Sequence, residues 1–125
     1  MTRRILGLGM VVLLAGVALA ANNARSVKLT GYLIDNACSA RANSEGGAEK
    51  VKNHTVKCAM MPNCEKSGYA LYADGKLYKL DEAGNKKAVE LYKSTKAERG
   101  LHVSVEGDVE GDSLKVKNMS EVAGG

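Results

Sequence analysis

The stretch LHVSVEGDVE, residues 101–110, alternates apolar and polar side chains with a period of two. One set of alternate positions is apolar: Leu101, Val103, Val105 and Val109. The other set is polar: His102, Ser104, Glu106, Asp108 and Glu110. Because successive side chains of a β-strand point to opposite faces, this pattern predicts a strand with one buried face and one face in water.

Similar patterns on both sides of this stretch predict four more strands. Residues 69–73 and 76–80 flank Asp74-Gly75, and Asp-Gly between two such runs is a strong signal for a two-residue hairpin. Residues 27–34 alternate in the same way, and Gly31 within them indicates a bulge or a sharp bend. Residues 113–117 form the last predicted strand.

One helix is expected between the third and fourth strands. Residues 81–85 have the composition of a turn, and residues 86–96 are rich in helix formers, with Asn85 as the N-cap and Gly100 as the stop. The element order is therefore β-β-β-α-β-β. This order predicts a mainly β protein, a small five-stranded OB-like barrel with one helix between strands 3 and 4. The alternative is an open antiparallel sheet covered by one helix.

An insertion, residues 36–67, separates the first two strands and contains all three cysteines of the chain. Residues 40–47 are small and polar and are expected to form a loop. Residues 48–61 can be helical, and Pro62 would limit the helix. On such a helix His54 and Cys58 are four residues apart and share a face. In an OB-fold this loop borders the usual ligand face, so the insertion would dominate any binding surface.

The N-terminus has the layout of a secretory signal peptide. Arg3 and Arg4 precede an apolar run at residues 5–20, and Ala18-Leu19-Ala20 is a small-x-small cleavage site. We expect cleavage after Ala20, which leaves residues 21–125 as a single domain in the periplasm or outside the cell. A transmembrane anchor is the alternative, but the run is shorter than the roughly 20 residues that span a bilayer.

The charge of the chain gives no sign of a nucleic-acid partner. The full sequence has a net charge of +4, and without Arg3 and Arg4 sixteen basic and fourteen acidic residues leave +2. With no Trp, no Phe and five Tyr, the core must consist of small side chains, which makes a cross-link or a metal more useful. We expect a monomer without a membrane anchor after cleavage, and an unknown small ligand or protein as the partner.

The insertion contains the residues with the most distinctive chemistry, which are Cys38, His54, Cys58 and Cys64. Three cysteines in an exported chain cannot all pair with one another, so one interpretation is a single disulfide with a spare thiol. Pairing of Cys38 with Cys58 or with Cys64 would stabilise the fold by about 3 kcal/mol in the chain-entropy model. The sequence leaves the choice between these two pairs open.

A second interpretation of the same residues is a metal site. Three thiolates and one imidazole suit tetrahedral Zn²⁺. Met60 and Met61 lie between two of the cysteines, and thioethers with thiolates would suit Cu(I). The more frequent role of such methionines is to fill gaps in a core.

The third interpretation is thiol chemistry, with a cysteine as nucleophile and His54 as base. The sequence has no C-x-x-C pair, so a thioredoxin-type centre is not indicated. We expect a non-enzymatic protein.

The motifs together resemble a largely uncharacterised family of small secreted bacterial proteins. The resemblance lies in GYLID at 31–35 with Cys38 after it, His54-x3-Cys58-x5-Cys64, SGYAL at 67–71, DGKLY at 74–78, VSVEG at 103–107 and LKV at 114–116. It covers most of the predicted mature chain. It implies an OB-like β core with a Cys/His-bearing insertion after the first strand, and it implies no activity.

Overall fold

The protein is a closed β-barrel of five strands with several short helices, and the computed structural model describes residues 24–123. Its strands are β1 (Arg25–Asp35), β2 (Tyr69–Ala73), β3 (Lys76–Leu80), β4 (His102–Glu110) and β5 (Ser113–Glu121). Its α-helices are α1 (Gly47–Lys52), α2 (Val56–Ala59), α3 (Pro62–Ser67) and α4 (Glu82–Ser94), and a 3₁₀ helix spans Ser39–Asn43. The predicted signal peptide lies outside the described residues.

The strands are adjacent in the order β1-β2-β3-β5-β4, and β4 pairs with β1 to close the barrel. All pairs are antiparallel except β3 with β5, which are parallel over two residue pairs, Lys79 with Ser113 and Leu80 with Leu114. The prediction of a mainly β, five-stranded barrel is therefore confirmed, and the alternative of an open antiparallel sheet is wrong.

The β2–β3 hairpin has the bounds predicted from its sequence. Asp74 and Gly75 both have positive φ, 50° and 75°, which is the backbone of a type I′ turn. This turn matches the right-handed twist of the strands that it joins. In β4 the apolar positions are buried and most of their neighbours are not, as the alternation predicts.

Gly31 does not mark a bulge. It lies where β1 pairs with β4 and a Cβ there would overlap the backbone carbonyl of Tyr72 on β2, so the residue permits a close approach of two strands. The register irregularity of the barrel lies instead between Glu106 and Gly107 of β4, opposite β5.

Helix α4 begins four residues earlier than the sequence predicted. The Asp81 side chain accepts a hydrogen bond from the Gly84 N–H at 2.9 Å, so Asp81 is the N-cap and the predicted turn at 81–85 is the first turn of the helix. Asn85, the predicted cap, has a different role. Its Oδ1 accepts the Tyr69 N–H at 2.8 Å and joins α4 to β2.

The insertion also contains more helices, and shorter ones, than the sequence predicted. The predicted loop at 40–47 contains the 3₁₀ helix, and the predicted helix at 48–61 is interrupted between α1 and α2. Thr55 ends the interruption because its Oγ1 accepts the Cys58 N–H at 3.1 Å and caps α2. Pro62 begins α3 rather than limiting a helix, which suits its fixed φ and missing N–H.

Two apolar clusters fix where the insertion lies. The barrel interior contains Leu33 and Leu71, whereas their neighbours Ile34 and Ala70 belong to a separate cluster with Ala42 and Val51 of the insertion. Because neighbouring residues on a strand face opposite ways, the 3₁₀ helix and α1 of the insertion pack on the outer face of β1 and β2. Ala59 of α2 belongs instead to the cluster of the barrel interior. Among residues 24–123, no helix has the length and apolar character needed to cross a membrane.

Candidate functional site

The segment that contains His54 is held by backbone hydrogen bonds from the chain that precedes β4. The Gly100 N–H donates to the His54 carbonyl at 3.0 Å, and the Val56 N–H donates to the Glu98 carbonyl at 2.9 Å. The His54 N–H donates to Val51 O at 3.2 Å and closes the end of α1. The histidine is thus placed on a fixed backbone between two helices, with 7% of its surface exposed.

The helices that contain Cys58 and Cys64 are joined to the end of the barrel. The Tyr69 hydroxyl donates to the Ala59 carbonyl at 2.8 Å in a buried position. The Asn36 N–H donates to the Gly68 carbonyl at 2.8 Å, which joins the start of the insertion to its end. These bonds bring distant parts of the sequence together beside the last residue of β1.

Asp35, the last residue of β1, is at the centre of the cluster. Its side chain is fully buried. His54 Nε2 lies 2.7 Å from Asp35 Oδ1, and the Cys38 N–H donates to Asp35 Oδ2 at 3.0 Å. A carboxylate that hydrogen-bonds one ring nitrogen of a histidine fixes its orientation and leaves the other nitrogen for a ligand. Here Nδ1 is the nitrogen that remains.

All four residues predicted for the site lie near Asp35, but they form two overlapping groups. Ligand atoms of Cys38, His54 and Cys58 all lie within 4.8 Å of one another. The same limit holds for Asp35, Cys38 and Cys64, so Cys38 belongs to both groups. We refer to the first as the histidine triad and to the second as the aspartate triad. All three cysteines are free thiols.

Burial and the Asp35 carboxylate keep the thiols of Cys38 and Cys64 protonated in the absence of a metal. Burial, the charge of Asp35 and a hydrogen bond to it raise the pKa of Cys38 to about 11. Burial, and then the charge of Asp35 and a hydrogen bond to it, also raise the pKa of Cys64. A thiol with a pKa this high has very little thiolate at neutral pH and is a poor nucleophile.

The histidine triad has the dimensions of an open metal site. Two thiolates bound to Zn²⁺ at 2.3 Å in a tetrahedron lie about 3.8 Å apart. No two ligand atoms of the triad are more than 4.8 Å apart, so a small side-chain rotation would bring them to that distance. Cys38 and Cys58 are both partly exposed, so a bound ion would be reachable from solvent. These residues could hold a metal ion.

Other residues considered for chemistry lie elsewhere. Met60 packs against the barrel core and Met61 is 53% exposed, so Met60 has the environment of an ordinary core methionine. His102 stacks on Tyr32 with ring centroids 4.6 Å apart, and its Nδ1 lies 3.2 Å from the Ala123 carbonyl oxygen. His102 is in neither triad.

A polar pocket of about 390 Å³ lies between the insertion and the β2–β3 hairpin. Its lining includes amide and hydroxyl groups from the insertion and two lysines from β3: Asn36, Ser39, Asn43, Lys76 and Lys79. Asp112 also lines the pocket, so the lining has charges of both signs and suits a small polar molecule.

Asp35 was not recognised as a site residue from the sequence, although a signal was present. Val27, Leu29 and Leu33 share one parity in β1, and Asp35 has the same parity. An acid at a position whose pattern predicts burial requires a polar partner. His54 is that partner, but it lies nineteen positions further along the chain, which concealed the pairing.

Comparison with known proteins does not assign the chain to a family. No protein-family model matches the chain, and no curated protein and no solved structure is significantly similar to it. The resemblance to small secreted bacterial proteins therefore stays a prediction, and the case for a function rests on the geometry of Asp35, His54 and the three thiols.

Proposed function

We propose that this protein is an exported metal-binding domain that holds Zn²⁺ at the histidine triad. The observation that supports this most directly is the convergence of Cys38, His54 and Cys58 within 4.8 Å on three separate parts of the insertion. The 2.7 Å contact between Asp35 and His54 adds the carboxylate partner that metal-binding histidines usually have. Three protein ligands leave one tetrahedral position of the ion for water or another ligand.

The same environment argues against a thiol enzyme. A nucleophilic cysteine needs a lowered pKa, and the pKa of Cys38 is raised to about 11 by burial and by Asp35. A bound cation removes this difficulty because metal-ligating thiols lose their protons on binding. The cluster is therefore better suited to hold an ion than to attack a substrate.

Zinc fits the donor set better than copper. The copper alternative depended on methionine sulfur, and Met60 is used in packing while Met61 is exposed. Thiolates with one imidazole still bind Cu(I), so copper is the second metal to test.

We further propose that the barrel is of the OB type. The strand order, the closure of β4 on β1 and the position of α4 between β3 and β4 in the sequence support this assignment. The proposal includes a monomeric, non-enzymatic protein that is secreted or periplasmic after cleavage near Ala20, is not anchored in the membrane and binds no nucleic acid.

A disulfide-stabilised module that binds a small ligand or a protein is the second candidate. Two observations favour it. The Cys38 sulfur lies within 4.8 Å of the sulfurs of both Cys58 and Cys64, so a modest rotation could bring either pair to bonding distance. The polar pocket beside the insertion could receive the ligand.

Thiol titration combined with metal analysis separates these candidates. The protein is expressed from the full sequence, purified after export without chelator, and analysed for bound metal and free thiols. Bound zinc is expected, with the Cys38 and Cys58 thiols reacting only after chelation. One free thiol and no metal would instead establish the disulfide module and would refute metal binding. Bound copper would replace zinc in the proposal.

A further inference from the structure

The five donors of the cluster do not converge on one point. Within residues 24–123 they divide into the histidine triad and the aspartate triad, which share Cys38. An ion in the histidine triad would use Cys38, His54 and Cys58. Asp35 and Cys64 would then lie beside it, both buried and both outside its set of ligands.

Charge balance makes this arrangement unfavourable with one ion. Metal-bound thiols are thiolates, and the Cys64 sulfur lies within 4.8 Å of a carboxylate oxygen of Asp35. An ion in the histidine triad makes thiolates of Cys38 and Cys58, which together with the Asp35 carboxylate carry three negative charges, so one divalent ion leaves one of them unbalanced. An uncompensated charge in a buried position is unfavourable. A second divalent ion that binds Asp35, Cys38 and Cys64 would release the Cys64 proton, so that three thiolates and one carboxylate balance two divalent ions.

We propose that the protein binds a second divalent ion at Asp35, Cys38 and Cys64, and that the Cys38 thiolate bridges the two ions. This inference rests on the proposed function, because it extends the same cluster. Asp35 can orient His54 toward the first ion and ligate the second ion itself. A carboxylate oxygen has two lone pairs, so the contact of Oδ1 with His54 and that of Oδ2 with the Cys38 N–H leave lone pairs for an ion.

The number of bound ions tests the proposal. The protein is expressed from the full sequence, reduced, freed of metal and titrated with Cd²⁺ or Zn²⁺, and the complexes are counted by native mass spectrometry. Two ions are expected for the wild type and one for Cys64→Ser. The control His102→Ala changes the histidine outside the cluster and should still bind two.

The possible results distinguish the second metal site from the proposed function. One ion in the wild type at saturation overturns the second site and leaves the proposed function intact. No bound ion overturns both. Two ions in both Cys64→Ser and Cys64→Ala, with their circular dichroism unchanged, would show that the second ion does not use this thiol and would also overturn the inference. A Cys64→Ala variant, which cannot ligate, covers the case in which Ser replaces the thiolate as a ligand.

The bridge is tested by NMR of the protein loaded with an NMR-active cadmium isotope. Two cadmium signals that are scalar-coupled to each other are expected, because a shared Cys38 sulfur connects the ions through bonds. Cys64→Ser should give one signal without this coupling. Two uncoupled signals in the wild type would show two separate sites and would overturn the bridging role of Cys38.

Discussion

Replacing Asp35 with Asn tests the role of the carboxylate at nearly constant volume. The wild-type side chain is fully buried, and it contacts His54 Nε2 at 2.7 Å and accepts the Cys38 N–H at 3.0 Å. Asn has one acceptor oxygen, so its amide group must face one of these two partners. The substitution therefore removes one hydrogen bond and weakens the control of the His54 ring orientation.

The expected effect on metal binding follows from the loss of this partner. Loss of a carboxylate that orients a metal-binding histidine typically lowers metal affinity 10- to 100-fold. We expect a loss of this size, about 1.4–2.7 kcal/mol, for the first Zn²⁺ bound. Competition with a chromophoric chelator measures the affinity. Thermal unfolding of the metal-free protein, followed by circular dichroism, measures stability.

Asp81→Asn is the matched control. The Asp81 carboxylate also accepts backbone N–H groups, from Gly84 at 2.9 Å and Val116 at 3.2 Å, but it belongs to neither triad. Asn caps helices as well as Asp does, and its Oδ1 can accept both N–H groups, so only the charge at the helix N-terminus is lost. The free energy of unfolding should fall by less than about 1 kcal/mol, and zinc affinity should not change. The reasoning is refuted if Asp35→Asn folds and binds zinc as tightly as the wild type, or if both variants lose affinity equally.

Four further measurements test the fold, the ionisation of a buried tyrosine and export. Tyr69→Phe removes the 2.8 Å hydrogen bond to α2 and should lower the free energy of unfolding by about 1–2 kcal/mol in a urea titration at neutral pH; an unchanged midpoint would contradict this. Burial, with nearby acidic groups, raises the pKa of Tyr69 from 10.0 to about 12, so the folded state holds this proton more tightly than the unfolded state, and stability should fall as the pH rises from 10 to 12. The stability of Tyr69→Phe should fall less over this pH range. A pH profile identical to that of the wild type would show that Tyr69 is not the group that titrates. Gly31→Ala would place a Cβ against the Tyr72 carbonyl and should cost about 3 kcal/mol, whereas Gly46→Ala, with open space and φ of 71°, should cost about 1 kcal/mol; equal costs would contradict the close strand approach. N-terminal sequencing of the exported protein should begin at Ala21, and an intact N-terminus would favour an anchor.

The sequence determined most of the barrel because strand patterns are local. Alternation with a period of two identified the buried residues of β4, and Asp74-Gly75 specified the hairpin between β2 and β3. These signals depend only on neighbours in the chain and on the geometry of a strand. Helix α4 was placed less well because Asp81 and Asn85 are both good caps, and the choice between them depends on contacts with β5 and β2.

The candidate site was only partly accessible from the sequence. Cysteine and histidine are few, so composition alone identified the insertion as the segment with chemistry. The helical spacing of His54 and Cys58 suggested a shared face, but the helix is interrupted there, and the two residues meet because residues 98–100 hold the interruption in place.

By itself the sequence determined which strands form and which side chains could bind a metal, because strand periodicity and ligand chemistry are properties of short segments. Only the tertiary structure decided that Asp35 joins the site and that Cys38 belongs to two groups of donors. Those facts depend on where the insertion packs against the end of β1. That position results from burial of Val51 and Ala42 on Ile34 and from hydrogen bonds between residues far apart in the chain.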